Sequence, residues 1–389
     1  MNEKELYEII SKGESSKVQF KEKMPHIESL ADELIALSNS YGGTILFGVN
    51  DKTGALNGLS FKEIQDLNAQ LANAASQKVY PPIFITTETI AADRQNIVVA
   101  NVKEGSSKPY KDSSGVIYVK NGSDKRKVTS NDELARLLNS GGVLFADEME
   151  VFDTTIEDAD ERLFSEYFEK EFSQSYTKKN LSFEQALKAK KVLRNGHLTL
   201  AGLLFFGKNP QIFKPVFTIK TVSYIGNCIG GNNYITKPED LHGTIPELFK
   251  QGMMFLKSCL MHLQNGRDFN TIGILEISEI ALLEILQNAL IHRDYFKNSP
   301  IRILIFENRV EIISPGKLPN SLTIEEIKYG NPVIRNNQIA LFSTHTLPYS
   351  GLGSGLRRAF EEQPNIELIN DIAGEQFIAI IPRKIGEIK

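Results

Sequence analysis

Residues 284 to 295, Glu284-Ile-Leu-Gln-Asn288-Ala-Leu-Ile-His292-Arg293-Asp294-Tyr295, lay a carboxylate, an amide and an imidazole at four-residue intervals along an otherwise apolar helix. At 3.6 residues per turn each step drifts by only about 40°, so the three side chains share one face. Ile280, Leu283, Leu286, Leu290 and Ile291 supply apolar cover around that stripe. On its own the pattern fits either a ligand site or a satisfied polar seam on a packed helix. The segments that follow it in the chain bear on that choice.

Val310 to Ser314 reads as a β-branched strand that runs into a Pro315-Gly316 turn, followed by Lys317 and Leu318. Further on, Gly351, Gly353 and Gly355 alternate ahead of a helix predicted to begin near Leu356. Glycine lets backbone N–H groups come close to an oxyanion, and a helix N-terminus adds partial positive charge. A glycine triplet alone is equally a mobile connector. Here the order is helix with Glu-x-x-x-Asn, strand with Gly turn, long loop over 336–351, then Gly-x-Gly-x-Gly at a helix start.

That order resembles the GHKL, or Bergerat-type, ATP-binding fold, and more closely its divergent RecG-like, helicase-related branch in bacterial regulators with a Schlafen AlbA-like (divergent AAA) domain in front. The resemblance implies ATP and Mg²⁺ as cofactors. It assigns Asn288 to Mg²⁺ and the phosphates, and Glu284 to the attacking water as general base. It places His292, Ser314, Gly316, Gly351, Gly353 and Gly355 around the nucleotide. The residue types suit these roles: an amide oxygen is a hard ligand, and a carboxylate one turn away can take a proton from water. One position departs from the family. Its Asp-x-Gly-x-Gly turn, which reads the adenine amino group, stands here as Ser314-Pro315-Gly316-Lys317-Leu318, and Glu311 is the candidate substitute carboxylate. Arg335 and His345 fall in the candidate lid over 336–351 and at its edge. Of Arg357 and Arg358, which follow the glycines, only one can easily face phosphate.

The N-terminal third carries a second pattern. Leu30, Leu34, Ile35 and Leu37 make a helix face over roughly residues 27–40, Gly42-Gly43 stops it, and Thr44 to Val49 is a short apolar strand suited to a sheet interior. Gly48 then marks a close backbone approach. Together with Glu14-Ser-Ser-Lys-Val-Gln19-Phe-Lys21 and Asn50-Asp51, this resembles the Schlafen AlbA-type domain. In its nuclease members two glutamates five residues apart and a later aspartate gather metal for RNA cleavage. The matching positions are Glu14, Gln19 and Asp51, and a neutral Gln19 removes a charged ligand, which speaks against cleavage.

Residues 103–127 hold Lys103, Lys108, Lys111, Lys120, Lys125, Arg126 and Lys127 against Glu104, Asp112 and Asp124. They read as two strands joined by the Asp112-Ser-Ser-Gly115 turn, with the Asn121-Gly122 turn leading into Lys125-Arg126-Lys127 and with Tyr110 and Tyr118 interleaved. Such a ribbon either follows a phosphate backbone, through Lys120, Lys125, Arg126 and Lys127, or is a solvated hairpin whose lysines protect a sheet edge. The whole chain offers no general basic field: 44 basic and 48 acidic residues leave −4. Residues 147–171 are strongly acidic, with Leu163, Phe164, Tyr167 and Phe168 as the apolar face of a helix and a solvated acidic side.

At 389 residues and 41% hydrophobic content the chain has room for several cores. Cys228 and Cys259 lack metal-like spacing and fit a reducing cytoplasm; no signal peptide or membrane span is expected. His197, His242 and His262 stand alone in sequence and are expected to be structural. The expected fold class is α+β: a mixed-sheet Schlafen AlbA-like domain over 1–140, an acidic helix and connecting α/β region over 141–270, and a GHKL-like α/β sandwich over 271–389. No C-terminal winged helix is visible. The functional expectation is a nucleic-acid-binding transcriptional regulator, on DNA before RNA, that senses ATP and pairs as a homodimer by analogy. An ATPase using Glu284, or an interaction scaffold, are the alternatives.

Overall fold

The computed structural model describes residues 1–230, 234–263, 273–319, 322–330 and 333–383. The chain divides into two compact units, Met1–Leu144 and Phe145–Lys389. Each has helices and a mixed sheet, an α+β fold.

In the first unit the helices are α1 (Glu3–Lys12), α2 (Ile27–Asn39), α3 (Phe61–Asn73) and α4 (Asn131–Ser140). The strands are β1 (Val18–Lys21), β2 (Gly43–Phe47), β3 (Ile85–Ala92), β4 (Gln95–Val102), β5 (Tyr118–Asn121) and β6 (Asp124–Lys127). The main sheet runs β1-β2-β4-β3, parallel between β1 and β2 and antiparallel elsewhere. Leu30, Leu34, Ile35 and Leu37 of α2 meet Ile45 and Phe47 of β2 in one core. Leu6, Phe20, Leu46 and Val99 close the other face of the sheet. Burial on both faces is what makes β2 a continuous apolar run. Gly42 turns the chain at φ +67, where a Cβ would lie 2.6 Å from the Val102 carbonyl, so only glycine fits between α2 and β2.

The basic stretch folds differently from its expected ribbon. Over the described residues 103–111 there is no strand, only a bridge between Lys111 and Tyr80. The hairpin is β5–β6, built on Asn121-Gly122. Gly105 packs against Tyr110 and Gly141 against Lys108, so the segment from 103 to 111 is held by packing instead of strand pairing.

The second unit contains α5 (Glu161–Phe172), α6 (Phe183–Ala189), α7 (Leu200–Phe206), α8 (Pro210–Phe213), α9 (Ile245–Cys259), α10 (Glu279–His292), α11 (Ile324–Lys328), α12 (Asn337–Thr346) and α13 (Gly355–Glu362). Short antiparallel pairs join β7 (Leu193–Arg194) to β8 (His197–Leu198), and β11 (His262–Leu263) to β12 (Ile274–Leu275). The large sheet uses β9 (Ile219–Tyr224), β10 (Tyr234–Thr236), β13 (Ile301–Ile305), β14 (Arg309–Pro315), β15 (Glu367–Asp371) and β16 (Gln376–Pro382). Its order is β10-β9-β13-β14-β16-β15, with β9 and β13 parallel. The connecting segment thus lends β9 and β10 to the C-terminal sheet, and Phe164, Phe206, Leu286, Ile303 and Ile381 belong to one core.

Helix α10 is buried nearly all round: Ala281, Leu282, Ile285, Leu286, Ala289, Leu290 and Ile291 are inside. It packs between β14, α9 and α13. The expected long loop over 336–351 is mostly a helix, α12, with Ile339, Ala340 and Phe342 in the core. Its apolar side reads weakly in sequence because the first turn, Asn337-Gln338, is polar and its cap comes from far away. Asp147 of the acidic stretch is wholly buried and accepts from the backbone N–H groups of Gln338 at 2.7 Å and Ile339 at 3.0 Å. The rest of the acidic helix follows its pattern, with Phe164, Tyr167 and Phe168 inside. Among the described residues, no helix is long and apolar enough to cross a membrane.

Candidate functional site

One cavity in the second unit is lined by Glu284, Asn288 and His292 of α10, by Ser314 and Gly316 at the end of β14, and by Gly351, Gly353 and Gly355 at the start of α13. Apolar walls come from Ile285, Ala289, Ile312, Leu318, Ile327, Leu356 and Phe377. The helical repeat lines up the first three residues, strand β14 delivers the next two, and α13 docks on α10 to bring the glycines over them. The approach is close. A Cβ on Gly355 would lie 2.3 Å from Glu284 Oε2 and 3.8 Å from Asn288 Nδ2. Gly351 and Gly353 sit at φ +71 and +73, where side chains are strained.

The polar groups of the cavity differ in how they are satisfied. Glu284 is buried; its Oε1 meets Arg358 Nη2 at 2.5 Å, and its Oε2 accepts from the Gln287 amide. Burial raises its pKa, with Arg358 and then Gln287 pulling the other way. Asn288 Nδ2 is buried with no hydrogen-bond partner among the described residues. His292 is half-buried beside Tyr349, ring centroids 6.4 Å apart, and burial with the Arg335 charge depresses its pKa to about 4. It is therefore neutral at pH 7. Ser314 Oγ donates to the Ala289 carbonyl at 3.1 Å, which leaves the hydroxyl only its acceptor capacity toward the cavity. Arg335 donates to the Lys317 carbonyl at 2.6 Å and holds the turn after Gly316.

Glu311 does not reach this cavity. It lies on β14 at a position where it pairs with Arg309 at 2.7 Å, so it supplies no carboxylate in place of the missing aspartate. Of the two arginines after the glycines, Arg358 lines the cavity, whereas Arg357 pairs with Glu361 on the exposed face of α13. His345 lies against Tyr167, ring centroids 5.9 Å apart. Two further residues have no motif to mark them in the sequence: Gln287, whose amide donates to Glu284 Oε2, and Tyr349, which lines the cavity.

The basic hairpin of the first unit is largely neutralised. The Lys120 side chain, 1% exposed, donates to Gln19 Oε1 at 2.6 Å, to Glu33 Oε1 at 2.9 Å and to the Ser123 carbonyl. Its expected contact with nucleic acid is corrected: the ammonium is an internal cation. Lys125 pairs with Asp32 at 3.4 Å and lies 5.8 Å from the Tyr118 ring centroid. Arg126 makes a two-point contact with Glu133, at 2.6 and 2.9 Å, and is half-exposed. Lys103, Lys111 and Lys127 are exposed. Glu14 accepts from Gln19 Nε2 at 2.6 Å and from the Phe20 N–H at 2.7 Å, while Asp51 is exposed in its turn. The described residues hold no group of three or more His, Cys, Asp or Glu side chains suited to a metal ion.

A glycine loop at a helix start, facing a buried helix with an unpaired amide, is an arrangement whose chemistry suits an anionic group. Two stretches of the chain match known families. Residues 298–370 match the family described as "Putative ATP-dependent DNA helicase recG C-terminal". Residues 14–129 match the Schlafen AlbA_2 family. The chain therefore joins a Schlafen AlbA_2 domain to a RecG-related C-terminal domain, the pairing of a nucleic-acid-related ATP-binding protein. The second match takes in Ser314, Gly316 and the three glycines and leaves α10 outside. Among solved structures, the DIP2311 protein from Corynebacterium diphtheriae is similar at 20% identity and a TM-score of 0.46, over 95% of this chain and 75% of that one. The N-terminal domain of a putative ATP-dependent DNA helicase RecG-related protein from Nitrosomonas europaea is similar at 18% identity and a TM-score of 0.24, over 34% and 96%. No curated protein matches the chain.

Proposed function

We propose that this chain is a nucleic-acid-binding transcriptional regulator, acting on DNA as a homodimer in the cytoplasm, whose second unit senses Mg²⁺-ATP. The observation that carries the nucleotide reading is the convergence of Glu284, Asn288, His292, Ser314 and the glycines on one cavity, with the Asn288 amide nitrogen buried there and unpartnered among the described residues. A buried donor without a partner costs about 1–3 kcal/mol, which a ligand oxygen removes. Turning the amide about Cβ–Cγ presents its oxygen instead, and Mg²⁺ needs only one or two protein ligands beside phosphate and water. Gly355 lets the start of α13 come against the Glu284 carboxylate, an approach that a Cβ, 2.3 Å from Oε2, would prevent. Bound Mg²⁺ would neutralise charge on the phosphates; the apolar walls and the Ser314 hydroxyl are left to hold the base.

Calorimetric titration of Mg²⁺-ATP into the full chain and its Asn288→Ala variant tests this. Saturable binding that weakens by tenfold or more in the variant supports the reading, on the scale of roughly one charge-assisted hydrogen bond. Absence of binding to the unaltered chain, with folding intact, refutes it.

For nucleic acid, the supporting features are the Schlafen AlbA_2 domain and the cations of the first unit that remain exposed or half-exposed: Lys103, Lys111, Arg126 and Lys127. Removing one cation that touches a phosphate should lower the slope of log K against log salt by about one. Arg126→Glu with Lys127→Glu should therefore flatten the salt dependence on duplex DNA. An unchanged slope would remove this hairpin from the interface.

A further inference from the structure

Arg358 and Glu284 form the sole ion pair in the cavity whose acid and base both line it, among the described residues. The Glu284 carboxylate is 3% exposed and the Arg358 side chain 45% exposed, so the acid is fixed from within while the guanidinium stands at the open side. It projects from the first turn of α13, directly after the glycine loop. With Arg358 on Oε1 and Gln287 on Oε2, both carboxylate oxygens are engaged. A carboxylate held by a guanidinium is a poor proton acceptor, because the ion pair stabilises the charged form. A phosphate group between Gly351 and Gly355 would offer that guanidinium a better partner, with more oxygens and more charge.

Resting on the nucleotide reading above, we propose that Arg358 is a phosphate-operated latch on Glu284. In this structure it holds the carboxylate in an ion pair. When a nucleoside triphosphate binds, the guanidinium passes to the terminal phosphate and the carboxylate is freed for water. In hydrolysis the water oxygen then bonds to the γ-phosphorus and the bond from that phosphorus to the bridging oxygen breaks. The diphosphate leaves with the electron pair and Glu284 takes the water proton. Arg358 is thus a positioning residue for Glu284 and the reader of the third phosphate.

The test is a binding cycle on the full chain with ATP and ADP, using Glu284→Gln, Arg358→Ala, Arg358→Lys and the Glu284→Gln/Arg358→Ala double variant, each checked for a native unfolding transition. If the guanidinium must leave Glu284 to reach phosphate, neutralising the acid frees it beforehand. Glu284→Gln then binds ATP about tenfold tighter than the unaltered chain, the scale of one charged hydrogen bond, and the gain disappears in the double variant. Arg358→Ala loses the preference for ATP over ADP by a similar factor, and Arg358→Lys restores part of it. ATP affinity unchanged in Glu284→Gln, or an unchanged ATP-to-ADP ratio in Arg358→Ala, overturns the latch and leaves the nucleotide site standing. Failure of the unaltered chain to bind either nucleotide overturns both.

Discussion

Lys120 sits in a basic run and yet is enclosed by the fold. A lysine in a basic run has the same local signature whether it faces solvent or the core, and only the fold reveals that its ammonium is enclosed by Gln19, Glu33 and Ser123. Removing one partner of a buried ion pair strands the other charge, which typically costs about 3–5 kcal/mol. Lys120→Ala should destabilise the chain by that order in urea unfolding and, once corrected for the folded fraction, leave the salt slope of nucleic-acid binding unchanged. A loss below about 1 kcal/mol would return Lys120 to the surface. Gly316 is the second test at this scale. It holds φ +101, and an added Cβ would sit 2.5 Å from Asp294 Cβ and 2.6 Å from Arg335 Nη1. Asp294 Cβ is anchored near the backbone and cannot swing away, so Gly316→Ala should cost about 1–3 kcal/mol and weaken ATP binding as the turn moves. Unaltered stability would mean that the turn relaxes freely. The Glu284-Asn288-His292 stripe was legible because helical periodicity is local. The Arg358 partner was not, since that pair depends on how α13 docks.

At the scale of elements, α12 shows why a helix can read as a loop. Its first turn lacks an adjacent capping side chain, and the acceptor is Asp147, nearly two hundred positions earlier. Asn336 ties the same helix start to the end of α10 by donating to the carbonyls of Ile291 at 2.8 Å and Arg293 at 2.9 Å. These satisfy groups that helix ends leave open, at both ends at once. Burial raises the Asp147 pKa to about 6, against the two backbone hydrogen bonds, which lower it. Because the folded value lies above the unfolded one, its contribution to stability is complete below the ordinary carboxylate range and is lost as pH rises through about 6. Asp147→Asn keeps an oxygen acceptor and removes the titration. The variant should gain on the unaltered chain between pH 4 and pH 7, by about 2–3 kcal/mol for a shift of this size. Urea midpoints across that range give the comparison, and a difference that does not vary with pH would mean that the carboxylate titrates normally.

The whole molecule is two units, each with its own core, and the connecting segment is part of the second because β9 enters the same sheet as β13. Sequence patterning could identify β9 as a strand, yet no local signal states which sheet a strand joins, since pairing partners lie far apart along the chain. Two separate cores lead to separable unfolding, and a ligand stabilises only the unit that binds it, by about 2.7 kcal/mol at a hundredfold excess over Kd. Mg²⁺-ATP should therefore raise the melting transition of the unit spanning Phe145–Lys389, and an oligonucleotide that of Met1–Leu144. Sensing requires more than two bindings. If ATP alters the affinity for DNA by some factor, DNA must alter the affinity for ATP by the same factor, and regulatory couplings usually amount to roughly 5- to 150-fold. Titrating ATP with and without saturating DNA, and DNA with and without saturating ATP, should return one common factor in that range. Equal factors near unity would describe a chain that binds both ligands independently, and the sensing role would be withdrawn while both sites remained.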